Sequence, residues 1–278
     1  MIKSSHHHSV QLPPEISNKK GEETMDYYSA KNNAKEHKLL HHYTTFEVVE
    51  KIIRNKSLRL TRVDLLNDTI ENDKMIDLWK KKVYVSCFTH RENESHFFWK
   101  SYPCNINNGV MISFSTEHFL NLSIHTDENC VLPALQPCKR TDINKTYCEN
   151  ISAENWGVYD YSCLDITYVD RSKEIEIPEN FQGRIKYSEW DSESETRIRI
   201  AVRPKCFEYD FKKREHRPPK NEYLYAKLPL PCLEAMTITL SPFADPTLKK
   251  KIEMLLKEND LYGKVRVLDS VIRDELQK

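Results

Sequence analysis

Apolar positions along the chain recur with two periods, and the switches between them lay out the elements. KLLHHY (38–43) reads as a strand. It runs straight into TTFEVVEKIIRNK (44–56), where Phe46, Val49, Ile52 and Ile53 recur at helical spacing and make one apolar stripe. Thr44 and Glu47 stand three apart, the spacing of a capping box that satisfies the first free amides of a helix. SLRLTR (57–62) alternates as a strand, and VDLLNDTIEND (63–73) is a polar loop feeding a helix over DKMIDLWKKK (73–82). VYVSCFTH (83–90) and GVMISFS (109–115) are rich in β-branched and aromatic residues, the composition of strands. Between them RENESHFFWKSYPCNINN (91–108) carries a short helix ending at Pro103, and TEHFLNLSI (116–124) admits another among loops.

Further on, SCLDITYVD (162–170), TRIRIAV (196–202) and KVRVLDS (264–270) read as strands. Another closes YAKLPLPCLEAMTITL (225–240), with Met236, Ile238 and Leu240 on one face. DPTLKKKIEMLLKEN (245–259) is a helix that Asp245 caps and Pro246 opens, with Leu248, Ile252, Leu255 and Leu256 as its core stripe. No internal repeat is present. Strands outnumber helices in an irregular order, which predicts a single α+β domain over 37–278 rather than a doubly wound sheet. Residues 1–36 are polar and read as a flexible arm, in which His6 to His8 could hold a metal weakly.

Composition narrows the functional classes. Lys+Arg and Asp+Glu are 42 each in 278 residues, so no global field points to nucleic acid or an anionic membrane. No apolar run approaches the roughly 20 residues needed to span a bilayer, and the N-terminal stretch lacks an apolar signal core, so a cytoplasmic protein with no membrane partner is expected. The eight cysteines form no CxxC pair and read as reduced, mostly buried thiols. The five glycines are isolated, and neither a dinucleotide-binding glycine turn nor a phosphate loop can be built from them. A nucleotide would have to be held by side chains and strand ends.

The candidate chemistry lies in two places. In SEWDSESETRIRIAV (188–202), an extended chain from Glu193 puts Glu193, Glu195, Arg197 and Arg199 on one face, opposite Ile198, Ile200 and Val202, with Trp190 just upstream. Such a row is either a solvated ladder of weak ion pairs or a carboxylate held over a cationic transition state, with arginines for phosphate. The second place is the strand end His41, His42, Tyr43. Alternation turns His41 and Tyr43 to one face and His42 to the other. NDTIE (67–71) follows soon after, with Asn67, Asp68 and Glu71 read as a loop clamp. Trp99 and Tyr102 fall on one helical side and read as core; His90 and His96, six apart, fit no helical metal pair, and no metal centre is expected. Cys87, mid-strand, reads as a buried thiol rather than a nucleophile. The basic run KKREHRPPK (212–220) supports an alternative, a non-catalytic nucleic-acid- or protein-binding module. A magnesium nuclease using Asp68, Glu71 and Glu193 is a third reading.

Taken in order, the tyrosine and hydroxyl before a helix (Tyr43, Thr44), N-D-x-x-E (67–71), C-F-T (87–89), W-x-x-Y (99–102) and W-x-x-E-x-E-x-R (190–197) resemble the bacterial domain-of-unknown-function family numbered 2971, from about Leu39 to Ser270. The histidine–tyrosine strand end, the helix after it and a late-strand glutamate also resemble the scattered triad of ADP-ribosyltransferases. That resemblance implies a split, mixed, mostly antiparallel sheet with flanking helices and NAD bound as substrate without a glycine loop. It also implies a macromolecular acceptor, and a toxin or anti-phage defence effector restrained by an antitoxin or defence-system partner. Under it His42, or equally His41, holds the adenosine ribose, and Tyr43 packs on the nicotinamide, with Tyr84 or Tyr102 as replacements. Glu195 binds the nicotinamide ribose, Glu193 serves the acceptor nucleophile, and Arg197 or Arg199 meets the pyrophosphate. Glu195→Gln is then expected to abolish turnover and leave stability nearly unchanged.

Overall fold

The computed structural model describes residues 37–66, 80–119, 122–126, 131–132, 156–172, 182–204 and 220–273. The expected arm, the NDTIE loop, nearly all of the helix after it, and the basic run up to residue 219 lie outside these residues.

Thirteen strands are described: β1 Leu39–Thr45, β2 Ser57–Arg62, β3 Val83–Thr89, β4 Gly109–Ser115, β5 Ser123–His125, β6 Val131–Leu132, β7 Trp156–Asp165, β8 Thr167–Val169, β9 Ile185–Tyr187, β10 Glu195–Pro204, β11 Tyr223–Lys227, β12 Thr237–Leu240 and β13 Arg266–Asp269. The α-helices are α1 Phe46–Asn55, α2 His96–Ser101, α3 Leu230–Glu234 and α4 Leu248–Glu258. Eleven strands form one sheet, with β8 and β9 a separate parallel pair. Every pairing in the large sheet is antiparallel except β12 with β13, so the domain is mixed α+β with helices packed on a largely antiparallel sheet. Among the described residues no helix is long and apolar enough to cross a membrane.

The sheet forks at β3. One edge of β3 pairs with β10 along its whole length, from Glu195↔Thr89 to Ala201↔Val83. Its other edge is shared: β1 joins it only at His41↔Thr89, and β2 only at Thr61↔Val85 and Arg62↔Tyr84. From there β1 leads to β4, β12 and β13, while β2 leads to β11, β5 and β6. The two arms part beside the middle of β3.

Alternation decides what each face of this sheet meets. Leu40, Phe114, Ile112, Ile238 and Ile198 share a core with Val49, Ile52 and Ile53 of α1 and with Leu248, Ile252, Leu255 and Leu256 of α4, the stripes expected from periodicity. On the other face Tyr43 and Met111 pack with Phe98 and Trp99 of α2 and with Ile272. Glu94 ties that layer down: its carboxylate accepts from Trp99 Nε1 at 3.0 Å, from the Val271 amide at 3.0 Å and from the Ser270 hydroxyl.

Several local expectations shift. Thr44 stays in β1, and the residue capping α1 is Thr45, whose side chain bonds Glu47 but no helix amide, so the capping box does not form. The later helix begins at Leu248. Asp245 instead closes a turn ahead of it, its carboxylate accepting from the Thr247 amide at 2.7 Å and hydroxyl at 2.6 Å. The strand expected over 162–170 is two strands broken at Ile166, and 116–124 is a 3-10 turn (Thr116–Phe119) followed by β5. Glu193 is not in the strand at all. It ends a 3-10 turn, Ser188–Glu193, and Ser194 takes a left-handed φ of 44° before β10 starts.

Candidate functional site

Register places the chemistry. His41 pairs with Thr89, and Thr89 pairs with Glu195, so residues 41, 89 and 195 form one cross-strand row on one face of three adjacent strands. Strands lie about 4.8 Å apart, which sets the backbones of His41 and Glu195 at about 10 Å, the width of a small ligand. A cavity of about 320 Å3 opens here, within the usual range for small-molecule sites of about 300–1,000 Å3. His41, His42, Tyr43, Tyr102, Glu193, Glu195 and Arg197 all line it, together with Cys87, Thr89, Lys186 and Trp190. Because β1 and β2 separate at this point, His42 reaches the opening from the opposite face of β1. Its Nδ1 donates to the Cys87 carbonyl at 2.9 Å, taking up a backbone acceptor beside the diverging strands. A carbonyl only accepts, so Nδ1 carries the proton and Nε2 keeps its lone pair.

The two carboxylates are buried and held differently. Glu195, 4% exposed, accepts from Arg197 Nε at 2.6 Å and Nη2 at 3.3 Å and from Lys186 Nζ at 3.0 Å. The Cys87 thiol, a weak donor, also bonds it. Burial alone would raise the Glu195 pKa; Arg197 and then Lys186 outweigh it and bring the carboxyl down to about 2, so it is an anion at any working pH. Glu193, 5% exposed, accepts from the Tyr102 hydroxyl and from Lys186 Nζ at 2.5 Å. Burial disfavours charge on Lys186, but Glu195 and Glu193 on either side of its ammonium raise its pKa on balance. The ammonium also lies 5.0 Å from the Trp190 ring centre.

The solvated ladder of the sequence reading is therefore overturned, since Arg197 and Arg199 are each 1% exposed and both faces of β10 are covered. Arg199 lies outside the cavity lining and donates to the Gln182 carbonyl and to Asp160, each at 2.6 Å; Asp160 also takes Arg184 at 2.8 Å. Gly183, with φ of 74° and its carbonyl accepting from Arg197 Nη1 at 3.3 Å, makes the turn that brings β9 and Lys186 under the acids.

Tyr43 stands edge-on to Phe98 and Trp99 at 5.2 and 4.8 Å, and its hydroxyl accepts from the Ser95 amide at 3.3 Å. Burial pushes that phenol up to about 12. Trp99 is core, as its helical stripe predicts, but Tyr102 turns to Glu193 and stays 44% exposed. Tyr84 is fully buried, donates to the Asn221 carbonyl at 2.7 Å and does not line the cavity. His41 Nδ1 lies 2.7 Å from Ser113 Oγ, and burial lowers the pKa of both His41 and His42. Cys87 is partly exposed in the cavity, with its thiol turned to a carboxylate, an arrangement that does not activate a nucleophile. Asp68 and Glu71 lie outside the described residues. Sequence patterns carry no signal for Lys186, which sits in a three-residue strand without a motif.

These shifts predict the acid behaviour of the fold. A group with a depressed native pKa binds its proton more readily when unfolded, so stability is complete above the unfolded value and falls as acid is added. His41 and His42 should cost stability below about pH 6.5, and Glu195 a further amount as pH falls from about 4.5 towards 2. Urea midpoints measured from pH 8 to pH 2.5 should fall in these two steps, with the first reduced by His42→Gln; a flat profile between about pH 6.5 and 5 would contradict the buried neutral imidazoles. Comparison of the chain with family models, curated proteins and solved structures returns no match.

Proposed function

We propose that this chain is an NAD-consuming ADP-ribosyltransferase acting on a macromolecular acceptor, a bacterial toxin or anti-phage defence effector of the kind its resemblance to ADP-ribosyltransferases suggests. The observation that carries this reading is the convergence on one cavity of an imidazole row, two tyrosines and the E-x-E carboxylates, from segments 150 residues apart in the chain. A fork in the sheet offers a nucleotide strand ends and side chains in place of glycine-loop amides.

Cleavage of the bond between ribose and nicotinamide releases neutral nicotinamide and leaves positive charge on the sugar, an oxocarbenium-like state. Glu195, a permanent anion held rigidly by Arg197 and Lys186, stabilises that charge without reorganising. Its fourth acceptor position, taken by a weak thiol, is the one a ribose hydroxyl would claim. Among the described residues Glu193 has two of its four lone-pair positions engaged, by Tyr102 and Lys186, and in this reading it takes the proton that the acceptor nucleophile loses on attack. His42 presents Nε2 to a second ribose hydroxyl, and Tyr43 or Tyr102 covers the nicotinamide. Arg197 is committed to Glu195 and Arg199 to Asp160, so in this reading neither arginine meets the pyrophosphate.

The test is direct. Purified protein incubated with adenine-labelled NAD and bacterial lysate should release nicotinamide and transfer label to one or a few macromolecular bands. Nicotinamide release without label transfer would change the acceptor to water. Neither signal, from protein shown to be folded, would end the reading.

A further inference from the structure

We infer that His37, His90 and Asp165 form a zinc-class metal site behind the candidate catalytic cavity. These residues, 53 and 75 positions apart in the chain, meet just before β1 begins and where β3 and β7 end, and their ligand atoms all lie within 4.8 Å of one another. His37 Nε2 is 2.8 Å from Asp165 Oδ2, and His90 Nδ1 is 3.6 Å from Asp165 Oδ1. Donors about 2.0–2.1 Å from a tetrahedral zinc ion stand about 3.3 Å from each other, between these two separations. Two imidazoles and a carboxylate are the donor set that zinc accepts with a fourth position open.

The surroundings supply what a metal site needs beyond its ligands. The Thr196 hydroxyl donates to Asp165 Oδ1 at 2.6 Å and so orients the carboxylate, as outer partners of metal ligands do. All three side chains are partly exposed, at 22–25%, so an ion can enter from solvent. Thr196 Oγ1 takes the His90 Nδ1 proton at 2.9 Å, and the His37 and His90 rings stack at 3.9 Å and 2°. Stacked rings aim their lone pairs side by side, so binding requires one ring to tilt about its own axis; the stack should be lost when the ion enters. The site reaches the backbone that carries the acids: the His90 amide donates to the Ser194 carbonyl at 3.1 Å, and the Ile166 amide, next to Asp165, donates to the Glu195 carbonyl at 2.9 Å. A bound ion would pin the residue that leads into β1 to the strand ends that position Glu195.

The experiment uses the full chain with His6, His7 and His8 each replaced by Ala, so that the N-terminal tract cannot contribute. Chelator-treated protein is titrated with Co2+ and read by the intense visible bands of low-coordinate cobalt, with Zn2+ as competitor and thermal melting in parallel. One equivalent should bind saturably and raise the melting temperature. Asp165→Asn, which preserves hydrogen-bond acceptance, and His90→Gln should each weaken Co2+ binding by about 100-fold or more. His37→Gln, at the outer margin of the fold, provides the same test should either of the others fail to fold. Absence of saturable binding, or binding that survives these substitutions, would overturn the site.

Discussion

Glu195→Gln should abolish label transfer and nicotinamide release and, in the same molecule, destabilise the fold by about 3–5 kcal/mol. In the proposed reaction the loss of activity, about 10²–10³ in rate, would follow from removing a preorganised anion beside developing positive charge. The loss of stability follows from burial. Arg197 and Lys186 would keep their charges at 1% and 9% exposure with a neutral amide between them, and an amide must turn its NH2 group towards one of these donors. This reverses the expectation attached to the ADP-ribosyltransferase resemblance, under which the substitution leaves stability nearly unchanged, and the pairs are not the exposed kind worth about 0–1 kcal/mol. The two effects separate in the double variant Glu195→Gln, Arg197→Met, which removes the stranded guanidinium. Urea unfolding should recover part of the stability, while NAD turnover, assayed well below the melting temperature, stays absent. Turnover retained by a folded Glu195→Gln protein would remove Glu195 from the chemistry; unchanged stability would deny the buried ion cluster.

Lys186→Met should have an effect of similar size on stability. One ammonium serves two carboxylates, at 2.5 Å from Glu193 and 3.0 Å from Glu195, and among the described residues its loss leaves both buried with the Arg197 guanidinium and the Tyr102 hydroxyl as their strong side-chain donors. Breaking a buried pair by removing one partner costs about 3–5 kcal/mol. The pH dependence gives a second readout with a definite sign. Lys186 helps hold the Glu195 carboxyl down to about 2, so without it the folded-state value rises towards the unfolded 4.5. The acid limb of the stability curve should therefore begin at the same pH but be shallower. Adding Glu193→Gln should recover part of the loss, with a coupling of about 1 kcal/mol or more in the double-mutant cycle, since the residues touch. Additive single effects would mean that the ammonium does not bridge the acids.

Periodicity read most of the elements correctly, because a strand or helix that buries one face repeats its apolar residues with that element's own period. The stripes of α1 and α4 and the alternation of β2, β10 and β12 are of this kind, whereas β3 and β4, buried on both faces, show in their β-branched and aromatic composition. Boundaries were less legible: Thr44 and Thr45, or Asp245 and Thr247, offer the same hydroxyl or carboxylate chemistry one or two residues apart, and the register of neighbouring strands settles the choice.

For the site, sequence alone determined which residue types were available: the histidines and tyrosine, which lie mid-strand in β1 and not at its end as expected, the E-x-E and the arginines after it, and no glycine loop. It could not say that β10 is covered on both sides, because alternation marks the apolar face and is silent on whether the polar one meets water or buried counter-charges. Only the tertiary structure decided that Thr89 bridges His41 to Glu195, that Lys186 sits between the acids, that Arg199 serves Asp160 instead of the cavity, and that His37 meets His90 and Asp165. All of these except the Lys186 contacts, which are local in sequence, join segments dozens of residues apart. Such contacts depend on strand order and on the fork at β3, which hydrogen-bond pairing between distant segments selects and local pattern does not encode.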